Sequence, residues 1–339
     1  MVKYEIHESN QFPDRRTDNG ESKMIDVWTE KHRPDTLDEV VGQEKIVERL
    51  KSFVEQDSIP HLMFTGPAGT GKTTSAIALA KDLYGDSWKQ NFMETNASDD
   101  RGINVVREKI KNFARTKPVN ADYKIIFLDE ADNLTSDAQQ ALRRTMEQFS
   151  ENCRFILSCN YSSKIIDPIQ SRCAVFRFNR LTDEQVKQYI DRVADSEGFE
   201  ISDDAKDAVL RVSEGDLRRV TNVLQTTSLN TGDIEEQDVY SASAALKPEE
   251  ITKIMENALA GKFMDAREEL SELMIDRGLD GQDVIASVHR ELFDLDIDDR
   301  KKLELVDSLA EYEFRIAEGG TDDIQIEALL AKLADLGTR

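Results

Sequence analysis

The sequence predicts an α/β domain on a parallel sheet around a phosphate-binding loop, then a small helical lid and an all-α C-terminal domain. Three observations carry this. From His61 to Phe178 short apolar runs alternate with helical stretches. Gly66-Pro-Ala-Gly-Thr-Gly71-Lys72-Thr73 follows the first run and opens a helix. Beyond Phe178 only helical periodicity remains. At 339 residues the chain is also too long for one typical core, so two or three domains are expected.

In chain order, Met1–Lys23 is polar and has no apolar stretch of the kind a secretory signal needs. It holds too few hydrophobes to offset its ordering entropy, so residues 1–24 are expected to be a disordered extension. The runs His61–Thr65, Asn91–Thr95, Lys124–Asp129, Arg154–Ser158 and Ala174–Phe178 are continuously apolar rather than alternating. That pattern suits strands covered on both faces, and strand–helix alternation makes residues 25–180 a three-layer α/β domain. Thr182-Asp-Glu-Gln185 is a capping box opening a helix. Ser202 can cap the next, whose Ala205, Ala208, Val209 and Val212 recur at helical spacing. A third follows Gly215 through Leu217, Val220 and Leu224, giving a three-helix lid over 181–246. Residues 247–339 read as helices broken at Gly261, Gly278–Gly281 and Gly319–Gly320, with no internal repeat.

Composition narrows the function classes. Hydrophobic residues make up 39% and charged ones 33%. No run of about 18 apolar residues occurs, so no membrane partner is expected and the cytoplasm is the expected location. Cys153, Cys159 and Cys173 are odd in number and form no Cys-x-x-Cys pair. That argues against a disulfide framework or a four-cysteine zinc site and for buried, inert thiols in a reducing cytosol. With 44 basic and 67 acidic residues the net charge is −23, a poor global signature for a nucleic-acid binder. A high-salt cytosol, where repulsion is screened within about 3 Å at 1 M, would suit such a surface. A halophilic source is therefore expected, with an ordinary acidic protein as the alternative.

The glycine-rich loop matches G-x-x-x-x-G-K-[ST]. The loop residues Gly66, Pro67, Ala68, Gly69, Thr70, Gly71, Lys72, Thr73 and Thr74 are expected around the phosphates of a nucleotide, with the loop's backbone N–H groups closing on them. Ala68 and Gly69 complete the loop. Lys72 is placed to reach the β- and γ-phosphates, and Thr73 offers its hydroxyl to Mg²⁺. Downstream, Ile125-Ile-Phe-Leu-Asp129-Glu130 delivers two carboxylates to a strand's C-terminal end, where open α/β sheets bind ligands. Asp129 is expected to hold Mg²⁺ and Glu130 to activate the attacking water. The Asn-Lys-x-Asp element of a GTPase does not occur; Asn160-Tyr-Ser-Ser-Lys164 lacks its spacing, so ATP is favoured.

One local signal points to DNA. Arg101, Arg107, Lys109, Lys111, Arg115 and Lys117 crowd a segment with one acid, Glu108. On a helix, Ile103, Val106, Ile110 and Ala114 form a buried stripe, and Arg107, Lys111 and Arg115 form a basic row beside it. Phosphates could follow that row without base contacts; a solvated helix face is the competing reading. Arg143 and Arg144, after Gln139-Gln140, are placed where a neighbouring chain could be met.

Trp28-Thr-Glu-Lys-His-Arg-Pro34 with Val40-Val-Gly-Gln43 resembles the N-terminal adenine-side motif of replication factor C small subunits, AAA+ clamp-loader ATPases. Asp129-Glu-Ala-Asp132, Ser158-Cys-Asn160, Ser171-Arg-Cys173 and Gly215-Asp-Leu-Arg-Arg219 follow in that family's order. The resemblance runs from about Ile25 to the C-terminus, is nearest to archaeal members, and in the last domain rests on length and helical character alone. It implies that Arg33, Pro34, Val40 and Val41 line the nucleotide and that Asn160 is the sensor-1 residue. Arg218 is implied as sensor 2, with Arg219 beside it as the alternative. Arg172 would reach the ATP of a neighbouring subunit, so an isolated chain would be a poor ATPase. Within Ser98-Asp-Asp-Arg101-Gly-Ile103, Arg101 would track the template backbone.

The implied partners are other copies of the small subunit, a large subunit, the sliding clamp and primer–template DNA bound without sequence preference. The assembly would be a heteropentamer held by C-terminal collar domains. No Gln-x-x-hydrophobe-x-x-aromatic-aromatic peptide ends the chain, so a clamp contact would come from the α/β domain. The alternatives are a scaffold subunit that binds ATP without hydrolysing it and a branch-migration helicase subunit.

Overall fold

The computed structural model describes residues 27–97, 103–230, 232–243 and 245–338, with the side chains of 103–107 and 230 excepted. The expected extension at 1–24 lies outside the described residues. A short helix α1 (Trp28–Lys31) and α2 (Glu44–Glu55) precede strand β1 (His61–Thr65). Then follow α3 (Lys72–Tyr84), α4 (Trp88–Asn91), β2 (Phe92–Asn96), α5 (Ile103–Arg115), β3 (Lys124–Asp129), α6 (Ser136–Gln148), β4 (Cys153–Cys159), α7 (Asp167–Gln170) and β5 (Cys173–Arg177). All strand pairs are parallel, in the order β2-β3-β4-β1-β5.

That order brings three strand ends together. β3, β4 and β1 are neighbours, so their C-terminal ends lie side by side, about 5 Å from strand to strand. Successive side chains of a strand leave on opposite faces. Leu62, Phe64, Ile125, Phe127 and Ile156 pack with α2 and α3 on one face. Met63, Ile126, Leu128, Phe155 and Leu157 pack with α5 and α6 on the other. Both faces are dry, which is why these strands read as unbroken apolar runs. Three strands shift by one residue from expectation: Asn91 closes α4 and β2 runs Phe92–Asn96, β4 widens to Cys153–Cys159, and β5 runs Cys173–Arg177. Cys153 and Cys159 are buried but Cys173 is only partly so; burial pushes its thiol up to about 12 and that of Cys153 to about 11, which keeps both unreactive.

Among the described residues the segment after β5 holds four helices, not three: α8 (Asp183–Glu197), α9 (Asp203–Ser213), α10 (Leu217–Asn230) and α11 (Glu236–Ala242). The last is short and buries only Val239 and Tyr240, too little apolar repeat to register in the sequence. The expected caps are present. Thr182 and Gln185 form a reciprocal capping box, and Ser202 accepts from the Ala205 N–H. Helices α12 (Pro248–Leu259), α13 (Phe263–Arg277), α14 (Gly281–Glu291), α15 (Asp299–Ala317) and α16 (Asp322–Thr338) surround a separate aliphatic core. Ion pairs cross from lid to collar, with Arg211 on Glu291 at 2.8 Å and Arg290 on Glu214 at 3.0 Å.

Candidate nucleotide-binding and hydrolysis site

A cleft of about 380 Å³ opens at the C-terminal ends of β1, β3 and β4 and is roofed by the lid. Its size suits a nucleotide-sized ligand. The loop after β1 forms its floor. Gly66 has φ +151°, and a Cβ there would stand 2.2 Å from the Phe178 carbonyl oxygen, so only glycine lets the loop leave the sheet this way. Helix α3 begins with no side-chain cap, leaving the first N–H groups of α3 to an anion. Lys72 is buried and its Nζ donates to the carbonyls of Gly66 and Pro67, each at 2.7 Å, and to Asn160 Oδ1 at 3.2 Å. Burial is the main influence on this ammonium and lowers its pKa; Asp129 opposes the shift and Arg218 adds to it. An incoming phosphate would restore the charge balance.

Thr73 Oγ1 donates to Asp129 Oδ2 at 3.0 Å. Two hard oxygens therefore meet beside the loop, the donor type Mg²⁺ takes. Glu130 directly follows β3 and lies in the left-handed region, φ 51°, an uncommon conformation for a non-glycine residue. Its Oε2 accepts from Asn133 Nδ2 at 3.2 Å. Asn160 stands one residue past β4, and its backbone N–H and that of Tyr161 both donate to Asp132 Oδ2, at 3.2 and 3.1 Å. Lys72, Thr73, Asp129, Glu130 and Asn160 thus line one cleft, together with Ala68, Gly69, Thr70, Gly71 and Thr74.

The N-terminal motif supplies a side wall, and its far end is anchored to the lid. Trp28 stacks on Phe199 with ring centroids 5.9 Å apart, and its backbone N–H donates to Gln225 Oε1. His32 and Lys31 both reach Glu197, at 2.6 and 2.8 Å. Arg33, Pro34, Val40 and Val41 then line the cleft. Gln43 donates to the Asn179 carbonyl at 2.7 Å, tying the motif to the start of the lid.

The lid meets the floor directly. The Leu217 N–H donates to the Gly69 carbonyl at 3.2 Å, and Asp216 Oδ1 caps α10 by accepting from the N–H groups of Arg218 and Arg219. The two arginines part here: Arg218 lines the cleft, whereas Arg219 lies near Asp283 of the collar, where it lowers the pKa of a carboxyl that burial raises. A Cβ on Gly69, which has φ +66°, would come 1.8 Å from Asp216 Oδ1. Gly69→Ala is therefore expected to push the lid off the loop and weaken ATP affinity about tenfold, the strain of a left-handed alanine alone being roughly 1–2 kcal/mol. Titration with a fluorescent ATP analogue measures this; unchanged affinity would mean the lid contact is irrelevant to binding.

Several residues at the cleft or beside it carry no role that the sequence announces. Asp132, Asn133 and Asp216 sit inside or beside the quoted motifs, so position alone could have flagged them. Glu94 on β2, whose carboxyl pKa is raised by burial against the pull of Arg33, gives no such signal. Nor does Arg192 of α8, which donates to the Glu39 carbonyl at 3.0 Å and lines the cleft.

Arg172, between α7 and β5, does not line this cleft. It is partly exposed, with Nη2 on Glu147 Oε1 and Nη1 on the Pro168 carbonyl, each at 2.6 Å. Arg143 shares the Glu147 oxygen at 3.5 Å, and Arg144 is exposed. Of the candidate DNA contacts, Arg101 and the Arg107 side chain lie outside the described residues. Lys111 pairs with Glu108 at 3.7 Å and Arg115 is exposed, while Ile110 and Ala114 are buried on the opposite face of α5.

Comparison with known proteins bears on both halves. Residues 62–181 match the AAA family, ATPases associated with various cellular activities, and residues 246–332 match the replication factor C C-terminal domain. The chain is 53% identical to the replication factor C small subunit of Methanococcus vannielii over 314 residues, 92% of this chain and all of that one. To that of Halobacterium salinarum it is 53% identical over 309 residues, 91% and 96% of the two chains. To that of Archaeoglobus fulgidus it is 51% identical over 316 residues, 93% and 99%. Among solved structures, the Thermotoga maritima RuvB Holliday-junction branch-migration motor is similar with TM-score 0.52 and 21% identity, covering 66% of this chain and 78% of that one, a likeness of fold.

Proposed function

The chain belongs to the replication factor C small-subunit family, and from that premise we propose that it is an ATP-driven clamp-loader subunit whose own cleft hydrolyses ATP in the assembled complex. The observation that carries this is the convergence of Lys72, the Thr73–Asp129 pair, Glu130 and Asn160 on one cleft under a lid bearing Arg218.

In this reading Lys72 exchanges its two loop carbonyls for the β- and γ-phosphates, and the N–H groups opening α3 donate to the remaining oxygens. Thr73 and Asp129 would hold Mg²⁺, which neutralises charge on the phosphate oxygens. Glu130 takes a proton from the water that attacks the γ-phosphorus, ADP leaves as the bond to its β-phosphate oxygen breaks, and Asn160 orients the attack. Arg218 reports the γ-phosphate to the lid. Arg172, absent from its own cleft and partly exposed, would serve the cleft of a neighbouring copy.

The assembly would be a heteropentamer with a large subunit, its collar formed by residues 247–339, where Met264, Ile275, Leu303 and Phe314 are exposed. Arg101, Arg107, Lys111 and Arg115 would follow DNA phosphates while ATP binding opens the sliding clamp, and hydrolysis would release the clamp on primer–template DNA. No helix among the described residues is long and apolar enough to cross a membrane, and we place the chain in the cytoplasm at the nucleoid. The net charge of −23 suits a halophilic host. A non-hydrolysing scaffold would need neither Glu130 nor Asn160 so placed. A branch-migration subunit is disfavoured by the replication factor C match at residues 246–332.

Steady-state ATPase of the purified chain, with large subunit, clamp and primed DNA added in turn at several salt concentrations, tests the proposal. The lone chain is expected to be slow and each addition to raise the rate, most at high salt. Full activity alone, or no response to any combination, would remove the clamp-loader reading.

A further inference from the structure

Asn160 is only as useful as the link that carries it, the two residues Asn160 and Tyr161 between the end of β4 and the 3-10 turn Ser162–Lys164. Two successive N–H groups, those of Asn160 and Tyr161, point out of the end of β4 with no strand partner. Both are taken by one oxygen, Oδ2 of Asp132. Asp132 stands in the short 3-10 turn Ala131–Asn133 directly after Glu130, and its neighbour Asn133 donates to Glu130 itself. One turn therefore holds the carboxylate proposed as general base with one residue and the sensor loop with the next.

We propose that Asp132 is a positioning residue that fixes the distance between Glu130 and Asn160, so that water and γ-phosphate are addressed from a single rigid frame. This deepens the hydrolytic reading of the cleft and rests on it. A charge-assisted pair of backbone bonds is the strong kind of hydrogen bond, and among the described residues these two N–H groups share this one acceptor. Without the carboxylate, Asn160 Oδ1 loses its fixed approach to Lys72 Nζ, which it meets at 3.2 Å. Asp132 is not itself a lining residue of the cleft, so it acts through Asn160 rather than on the nucleotide. Misplacement of a catalytic group by about 1 Å can cost a hundredfold in rate, whereas affinity resides mainly in the phosphate loop and helix α3.

The test compares Asp132→Ala, Asp132→Asn and Asn160→Ala with the parent. Hydrogen exchange of the nucleotide-free chain is read over residues 159–163. ATP-analogue affinity, and the ATPase of the complex with large subunit, clamp and primed DNA, are read alongside. Asp132→Ala is expected to speed exchange there at least tenfold and to lower kcat ten- to a hundredfold, with affinity within threefold. Asp132→Asn, which keeps one acceptor oxygen, is expected to recover most of both losses. Fast exchange with unchanged kcat, or lost affinity equal to lost kcat, would overturn the proposal. If Asn160→Ala leaves kcat intact, the sensor reading of the cleft fails; if it lowers kcat while Asp132→Ala does not, only the positioning role fails.

Discussion

Arg172→Ala is expected to lower the ATPase of the assembled complex about 10³–10⁵-fold, the range in which an arginine supplied in trans stabilises phosphoryl transfer. The isolated chain should bind ATP as before, because Arg172 does not line its own cleft. The geometry explains both halves of this expectation. The guanidinium leaves the link between α7 and β5 partly exposed, and what holds it, the Glu147 carboxylate and the Pro168 carbonyl, fixes its direction without burying it. Arg172→Lys should not restore the rate, since a lysine lacks the planar fork that meets two phosphate oxygens together. Rates of the reconstituted complex, with affinities of the free chain beside them, decide the matter. A complex within threefold of the parent rate would refute the trans role, and lost affinity in the free chain would point to a structural ion pair.

Glu130→Gln is the second large effect, an expected loss of about 10²–10⁴ in kcat, the range for removing a general base. ATP affinity should hold or tighten, because the substitution removes a negative charge near the phosphates and leaves the loop, Lys72 and Asp129 in place. Gln keeps an acceptor for Asn133 Nδ2, so the 3-10 turn should survive and the loss should be chemical rather than structural. Single-turnover hydrolysis with pre-bound ATP separates the two. A rate within tenfold of the parent would show that another group accepts the proton. If the loss is found, the variant should also hold the clamp in the ATP state, retaining DNA for longer than the parent does.

The sheet, the glycine-rich loop and the place of Asp129 at the end of β3 were legible because each rests on local rules. Strands buried on both faces must be apolar throughout, as Ile125 to Leu128 are. A loop that cradles phosphates must be glycine at Gly66, where a Cβ would strike the Phe178 carbonyl. The capping residues Thr182 and Ser202 were equally local. By contrast, α11 escaped because a seven-residue helix with two buried side chains offers no periodicity to read.

What the sequence by itself determined is the inventory: which residues form the glycine-rich loop motif, which carboxylates fall at the end of an apolar strand, and which family the motifs resemble. Only the tertiary structure decided which of them share a space. The strand order β2-β3-β4-β1-β5 sets Lys72, Asp129 and Asn160 side by side, though they are far apart in the chain. The fold of the lid onto Gly69 separates Arg218, in the cleft, from Arg219, beside the collar, a choice the adjacent letters left open. Tertiary structure also gives Asp132, Asp216 and Arg192 their partners, which are backbone N–H and carbonyl groups. Almost every residue carries those groups, so contacts with them leave no complementary side chain for the sequence to reveal.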